Sequence, residues 1–94
     1  MFDYRQGETD VPGDAAAVDG VLDATGKVTV RAITWKGQEL EITATGRQWR
    51  EEAPGGVTRH VLVMSADNTT FELCLDSRDM LWHVRRTWSP GFIA

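Results

Sequence analysis

A single cysteine, Cys74, excludes an internal disulfide and agrees with a reducing, cytoplasmic setting. No stretch approaches the roughly 20 consecutive apolar residues of a membrane-spanning helix, so a membrane is not an expected partner. The start of the chain, from Met1 to Glu8, has neither the basic region nor the apolar segment of a secretory signal. Without secretion, the glycosylation sequon Asn68-Thr69-Thr70 reads more simply as a turn. Catalytic and cofactor signatures are missing too: there is no phosphate-cradling glycine loop, no cysteine pair for zinc and no His-Glu-x-x-His. His60 and His83 fall on different predicted faces, and structural zinc takes about four converging ligands, so neither metal nor cofactor is expected.

Concentrated positive charge is also lacking. The net charge is −4, and it is unevenly spread. Residues 1–26 hold six acids (Asp3, Glu8, Asp10, Asp14, Asp19, Asp23) against Arg5, a net of −5, which leaves +1 for residues 27–94. The acidity belongs to the N-terminal segment, and the near-neutral body lacks the electrostatic footprint of a nucleic-acid binder.

What the chain does have is alternation broken by turns. Its 94 residues give room for one domain with a modest core. In residues 60–88, three apolar alternating runs are separated by Asp67-Asn68 and by residues 76–79. Both residues of Asp67-Asn68 tolerate positive φ and suit a two-residue hairpin loop. That loop sets Met64 opposite Phe71, Leu62 opposite Leu73 and His60 opposite Leu75. A four-residue loop at 76–79 sets Leu75 opposite Met80, Leu73 opposite Trp82 and Phe71 opposite Val84. The two turns agree in gathering Leu62, Met64, Phe71, Leu73, Leu75, Met80, Trp82 and Val84 on one face, an agreement that a one-residue slip would destroy.

Upstream, residues 1–17 read as a loose acidic arm, with Phe2 and Tyr4 tacked onto the body. A strand over 18–23 turns at Ala24-Thr25-Gly26 into one over 27–34. A three-residue loop, Trp35-Lys36-Gly37, then sets Ala32 opposite Leu40, Val30 opposite Ile42 and Val28 opposite Ala44. Gly46 marks a bulge or bend, after which Trp49 changes face. Residues 51–56, with Pro54, Gly55 and Gly56, are an exposed loop. The expected architecture is therefore all-β: five or six antiparallel strands in a meander over 18–94, closing into a small barrel or roll, with a two-sheet sandwich as the alternative.

Candidate sites follow from this register. Val61, Cys74 and Leu81 line up as an apolar stripe across the face that should be wet, covered by the arm, by the tail at 90–93 or by a partner chain. Cys74 has no basic neighbour in that register and reads as an inert thiol. Trp35, Arg47, Trp49 and Arg50 collect around one end as a contact surface. Tryptophans interleaved with arginines can also stack bases and hold phosphates, which would recruit Trp88, Arg85 and Arg86 alongside Trp35 and Trp49; small β domains equally use such residues to plug and rim a barrel. Glu72 falls opposite His83, the only pairing with acid–base character.

The pattern Ile33-Thr-Trp35-Lys-Gly37-Gln-Glu-Leu40-Glu-Ile42, then Trp49, Phe71-Glu-Leu73 and Trp82-His-Val84-Arg-Arg, resembles a family of small bacterial β domains of unknown function. Some of its members are attached to proteins related to Y-family DNA polymerases. The resemblance covers about residues 28–88; Leu40 stands where the family has tyrosine and Ile33 where it has phenylalanine. It implies a cytoplasmic bacterial accessory domain and carries no catalytic residues across. The expected function is a non-enzymatic module acting through protein contacts, with a protein partner or a second copy of the chain bound. Nucleic-acid binding is the alternative, and an enzyme using Glu72 and His83 ranks third.

Overall fold

The computed structural model describes residues 14–89. They form β1 (Asp14–Leu22), β2 (Val28–Trp35), β3 (Gln38–Ala53), β4 (Gly56–Ser65), β5 (Thr70–Asp76) and β6 (Leu81–Trp88). Each strand pairs with its sequence neighbour, and β1 pairs with β6 to close a six-stranded antiparallel barrel. The expected meander and closure are both present, and the sandwich is not formed. β1 starts at Asp14 rather than at 18, so residues 14–17 belong to the barrel wall. Residues 1–13 of the expected arm, with Phe2 and Tyr4, and the tail at 90–93 lie outside the described residues.

The turns set registers that differ from the expected ones, each for a local reason. Between β2 and β3 the loop has two residues, Lys36 and Gly37, with φ of 51° and 77°. Positive φ at both central positions is the type I′ hairpin, whose twist matches that of the flanking strands. Ile33 therefore faces Leu40. Between Asp19↔Ala32 and Gly20↔Val30, β2 carries one extra residue, Arg31. That bulge reverses the alternation, so Val28 and Val30 before it and Ile33 after it are all buried.

Between β4 and β5 the loop is longer than expected, spanning Ala66, Asp67 and Asn68. Only Asn68 takes the left-handed conformation, at φ 69°. Ser65 and Thr69 close the loop through Ser65 N–H donating to the Thr69 carbonyl at 2.9 Å. The Asp67 carboxylate accepts from the Ser65 hydroxyl and, at 3.1 Å, from Thr69 N–H, and these bonds hold its carboxyl below the usual range. The extra loop residue moves the ladder by one: Val63, not Met64, faces Phe71, and Val61 faces Leu73. Val61 and Val63 thus enter the core, while Leu62 and Met64 are half-buried on the outer wall. Between β5 and β6 the four loop residues are 77–80, so Leu75 pairs with Trp82 and Leu73 with Val84. That shift of two keeps the expected face but leaves Met80 outside the sheet and exposed.

The core is Val28, Val30, Ile33, Ile42, Val61, Val63, Phe71, Leu73 and Val84, with Ala16, Val18, Trp35, Leu40 and Trp82 packed against it. Removing each large apolar side chain from water contributes about 1.5–3 kcal/mol, which is what holds the six strands closed. Two seams of the wall are short. β1 meets β6 over three pairs, Asp14–Ala16 against Trp82–Val84. β2 meets β3 over four, Ala32–Trp35 against Gln38–Glu41. Below that ladder, side chains of β3 replace it. Gln48 accepts from Val28 N–H at 2.9 Å and donates to the Val28 carbonyl at 2.5 Å, and the Thr45 hydroxyl accepts from Val30 N–H at 3.0 Å.

Candidate functional site

β5 is buried on both faces. Phe71 and Leu73 point into the barrel, yet Glu72 and Cys74, on the outer wall, are also shielded from solvent. The register explains what lies beside them. One rung runs around the outside through Trp49 on β3, His60 on β4, Cys74 on β5 and His83 on β6. Trp49 reaches this face because β3 carries a bulge between Thr45 and Gln48, at the expected Gly46. Its indole stacks flat on the His60 imidazole, with centroids 4.9 Å apart and planes 1° from parallel. Arg47 lies over the Trp49 ring, 5.0 Å from its centroid.

Beside this stack sits a compact polar group. His60 Nδ1 is 2.9 Å from Glu72 Oε2 and 3.3 Å from Cys74 Sγ, and Cys74 Sγ is 3.9 Å from Glu72 Oε2. His60, Glu72 and Cys74 are all buried, and one donor atom from each lies within 4.8 Å of the others. The remaining atoms are tied outward. Arg86 Nε lies 3.3 Å from Glu72 Oε1. His60 Nε2 is 2.7 Å from Glu51 Oε1, at an angle outside hydrogen-bond geometry. His83 is buried with neither ring nitrogen hydrogen-bonded; Nε2 is 3.5 Å from Asp79 Oδ2. Burial first, and the Glu72 charge second, push the Cys74 thiol up to about 11, with Arg85 opposing.

This geometry redraws the expected sites. Glu72 faces Arg86 and His60 instead of His83, because the 77–80 loop shifts the β5–β6 ladder by two residues and the slip between Glu72 and Leu73 shifts it by one more. The stripe of Val61, Cys74 and Leu81 does not form: Val61 is wholly inside the barrel, Cys74 is buried on the outer wall and Leu81 is exposed. Trp35 stands apart from Arg47 and Trp49. It packs edge-on against Phe71 at 5.6 Å, with Lys36 4.7 Å from its ring, and is part of the apolar packing around the core. Arg50 is engaged by Glu52 at 3.0 Å, and Trp88 is partly exposed at the end of β6. A Cys74–His60–Glu51 succession has the order of a nucleophile, base and orienting carboxylate. A buried thiol pushed this far up supplies no thiolate near neutral pH, so that order does not make a nucleophile.

A second feature lies where β1 leaves β6. Beyond Ala16, β1 runs on to Leu22 with no strand on that side among the described residues. An apolar groove of about 200 Å³ opens there, lined by Val18, Leu22, Val28, Leu75 and Trp82, with Arg59 at its edge. Val21 (68% exposed), Leu22 (63%), Met80 (65%) and Leu81 (55%) surround this end of the two strands.

Comparison with family models, curated proteins and solved structures returns no match. Among the described residues no helix is long and apolar enough to cross a membrane.

Proposed function

We propose that this protein is a non-enzymatic binding module that docks a protein partner along the open side of β1. The unpaired stretch of β1 beside the apolar groove carries the reading. Strand edges with free N–H and C=O groups accept an added strand, whose alternate side chains then fill an adjacent pocket. Here the pocket is the groove at Leu75 and Trp82, and Val21, Leu22, Met80 and Leu81 supply apolar surface around it. Natural sheets blunt an exposed edge with charge or proline, whereas the end of this strand is Gly20-Val21-Leu22. The accessory role and the bacterial, cytoplasmic setting implied by the family resemblance are carried forward as part of this proposal.

The alternatives have less geometry behind them. Trp49 already has His60 stacked on its ring and Arg47 over it, so a base would have to displace a neighbour. Arg31, Arg50 and Arg86 are held by Asp19, Glu52 and Glu72. For an enzyme, the separation of Glu72 from His83 removes the only expected acid–base pair.

The test is site-specific photo-crosslinking in cells, with the probe at Val21 or Leu22 and, as a control, at the exposed Thr87 toward the other end of β6. A discrete adduct from the first two positions and none from Thr87 is the expected result, and its mass separates a second copy of the chain from another protein. Equal adducts from all three positions, or none, would overturn the docking edge. Salt-sensitive quenching of tryptophan by a short single-stranded DNA would move the nucleic-acid reading ahead of it.

A further inference from the structure

The convergence of an imidazole nitrogen, a carboxylate oxygen and a thiol at one point on the outer wall is not needed for docking and asks for its own account. Hydrogen bonding explains part of it, because His60 Nδ1 lies 2.9 Å from Glu72 Oε2. It leaves the rest unexplained. Nδ1 can donate along one direction only, yet both Glu72 Oε2 at 2.9 Å and Cys74 Sγ at 3.3 Å converge on it. His83, across the ladder from Cys74 and nine-tenths buried, has two ring nitrogens with no hydrogen-bond partner. Buried polar atoms are rarely left so.

We infer that His60 Nδ1, Glu72 Oε2 and Cys74 Sγ bind a divalent transition-metal ion, zinc being the occupant their chemistry favours. Sulfur, nitrogen and carboxylate oxygen together are a zinc-type donor set, and zinc accepts them in tetrahedral geometry. Around a tetrahedral zinc with ordinary bond lengths, such donors stand about 3.4–3.6 Å from one another. The three observed separations of 2.9, 3.3 and 3.9 Å bracket that spacing, so closing on an ion takes shifts of only a few tenths of an ångström. The outer contacts have the form expected around a metal. A ligating histidine presents its other nitrogen to a carboxylate, here Glu51, and a ligating carboxylate is itself held, here by Arg86. A water takes the fourth position, since no other histidine, cysteine or carboxylate among the described residues joins these three donors. Binding releases the Cys74 proton to solvent, so the thiolate and the Glu72 carboxylate together balance the two charges of the ion.

The experiment titrates reduced, chelator-treated protein with cobalt(II) as the visible probe, then with zinc(II). The expected result is one ion per chain, with thiolate-to-cobalt charge-transfer absorption that zinc bleaches. Zinc should also raise the unfolding midpoint and slow alkylation of Cys74. Cys74→Ala, checked for a dispersed β-sheet amide spectrum, should lose the charge-transfer band. Glu51→Gln should keep the band while weakening zinc binding about 10–100-fold, the usual cost of an outer-shell loss. A folded wild-type protein with no thiolate–cobalt band in excess cobalt would overturn the inference. So would an equal band in Cys74→Ala. Neither result bears on docking at β1, which lies on other residues.

Discussion

Replacing Gln48 by alanine removes both hydrogen bonds that tie the start of β2 to β3. Its side-chain amide lies against Val28 as a peptide unit of a neighbouring strand would, accepting from N–H at 2.9 Å and donating to the carbonyl at 2.5 Å. Val28 is only 5% exposed, so little water can take over. Each buried backbone group left unpaired costs about 1–3 kcal/mol. Allowing one of the two to find partial hydration, the loss is about 2–4 kcal/mol. That is a large share of the roughly 5–14 kcal/mol expected for a domain of this size. Gln48→Met separates the causes, since it keeps most of the side-chain volume and loses only the hydrogen bonds. Gln48→Glu is as instructive: its carboxylate still accepts from Val28 N–H but sets a second oxygen against the Val28 carbonyl. Urea unfolding followed by tryptophan fluorescence gives the free energies, and amide exchange at Val28 and Val30 reports the seam directly. Alanine and methionine variants both within about 0.5 kcal/mol of wild type, with Val28 protection unchanged, would refute the reasoning.

Three other substitutions test the wall and the buried thiol. Gly20→Ala places a Cβ 2.6 Å from the Thr29 carbonyl oxygen and 3.2 Å from Val30 Cα, backbone atoms that cannot move singly, and should cost about 1–3 kcal/mol. Gly46→Ala meets only ordinary contact, 3.6 Å from the Leu62 carbonyl oxygen, and should melt close to wild type by circular dichroism. In metal-free protein, Cys74 keeps its proton where the unfolded chain, titrating near 9.0, has lost it. The stability this gives is fully present below pH 9.0 and declines as pH rises toward about 11. Urea midpoints measured on either side of that window should fall in wild type and stay level in Cys74→Ala.

The fold class was legible because alternating runs broken by turn residues leave few other solutions, and closure followed from two apolar faces needing each other. Registers were harder. Asp67-Asn68 can make a two-residue or a three-residue loop with similar chemistry, and the choice rests on the Asp67 carboxylate bonding Ser65 and Thr69. That one residue moves Val61 and Val63 inward and sets His60 against Cys74. Glu72-Leu73-Cys74 looked like an ordinary half-wet strand for the same reason. Its outer residues lie against His60, which stacks on Trp49 across the β3 bulge, and against Arg86, an arrangement no local pattern in β5 encodes. The spacing of Glu72 and Cys74, two apart on one face, was the available signal; it acquires meaning only once the neighbouring strand is in register.

The two short seams divide the wall unequally. β1 and β2 form a well-paired hairpin over residues 14–35, attached to the four-stranded remainder by three rungs on one side and by four rungs with Gln48 and Thr45 on the other. Such a hairpin is a cooperative unit of its own, opening at a lower free energy than the sheet it leans on. Amides of β1 should therefore exchange with solvent well before those of β4 and β5. A barrel that lets go along a hairpin in this way can admit an incoming strand without unfolding, and a second copy of the same hairpin is one strand pair that would already fit the gap.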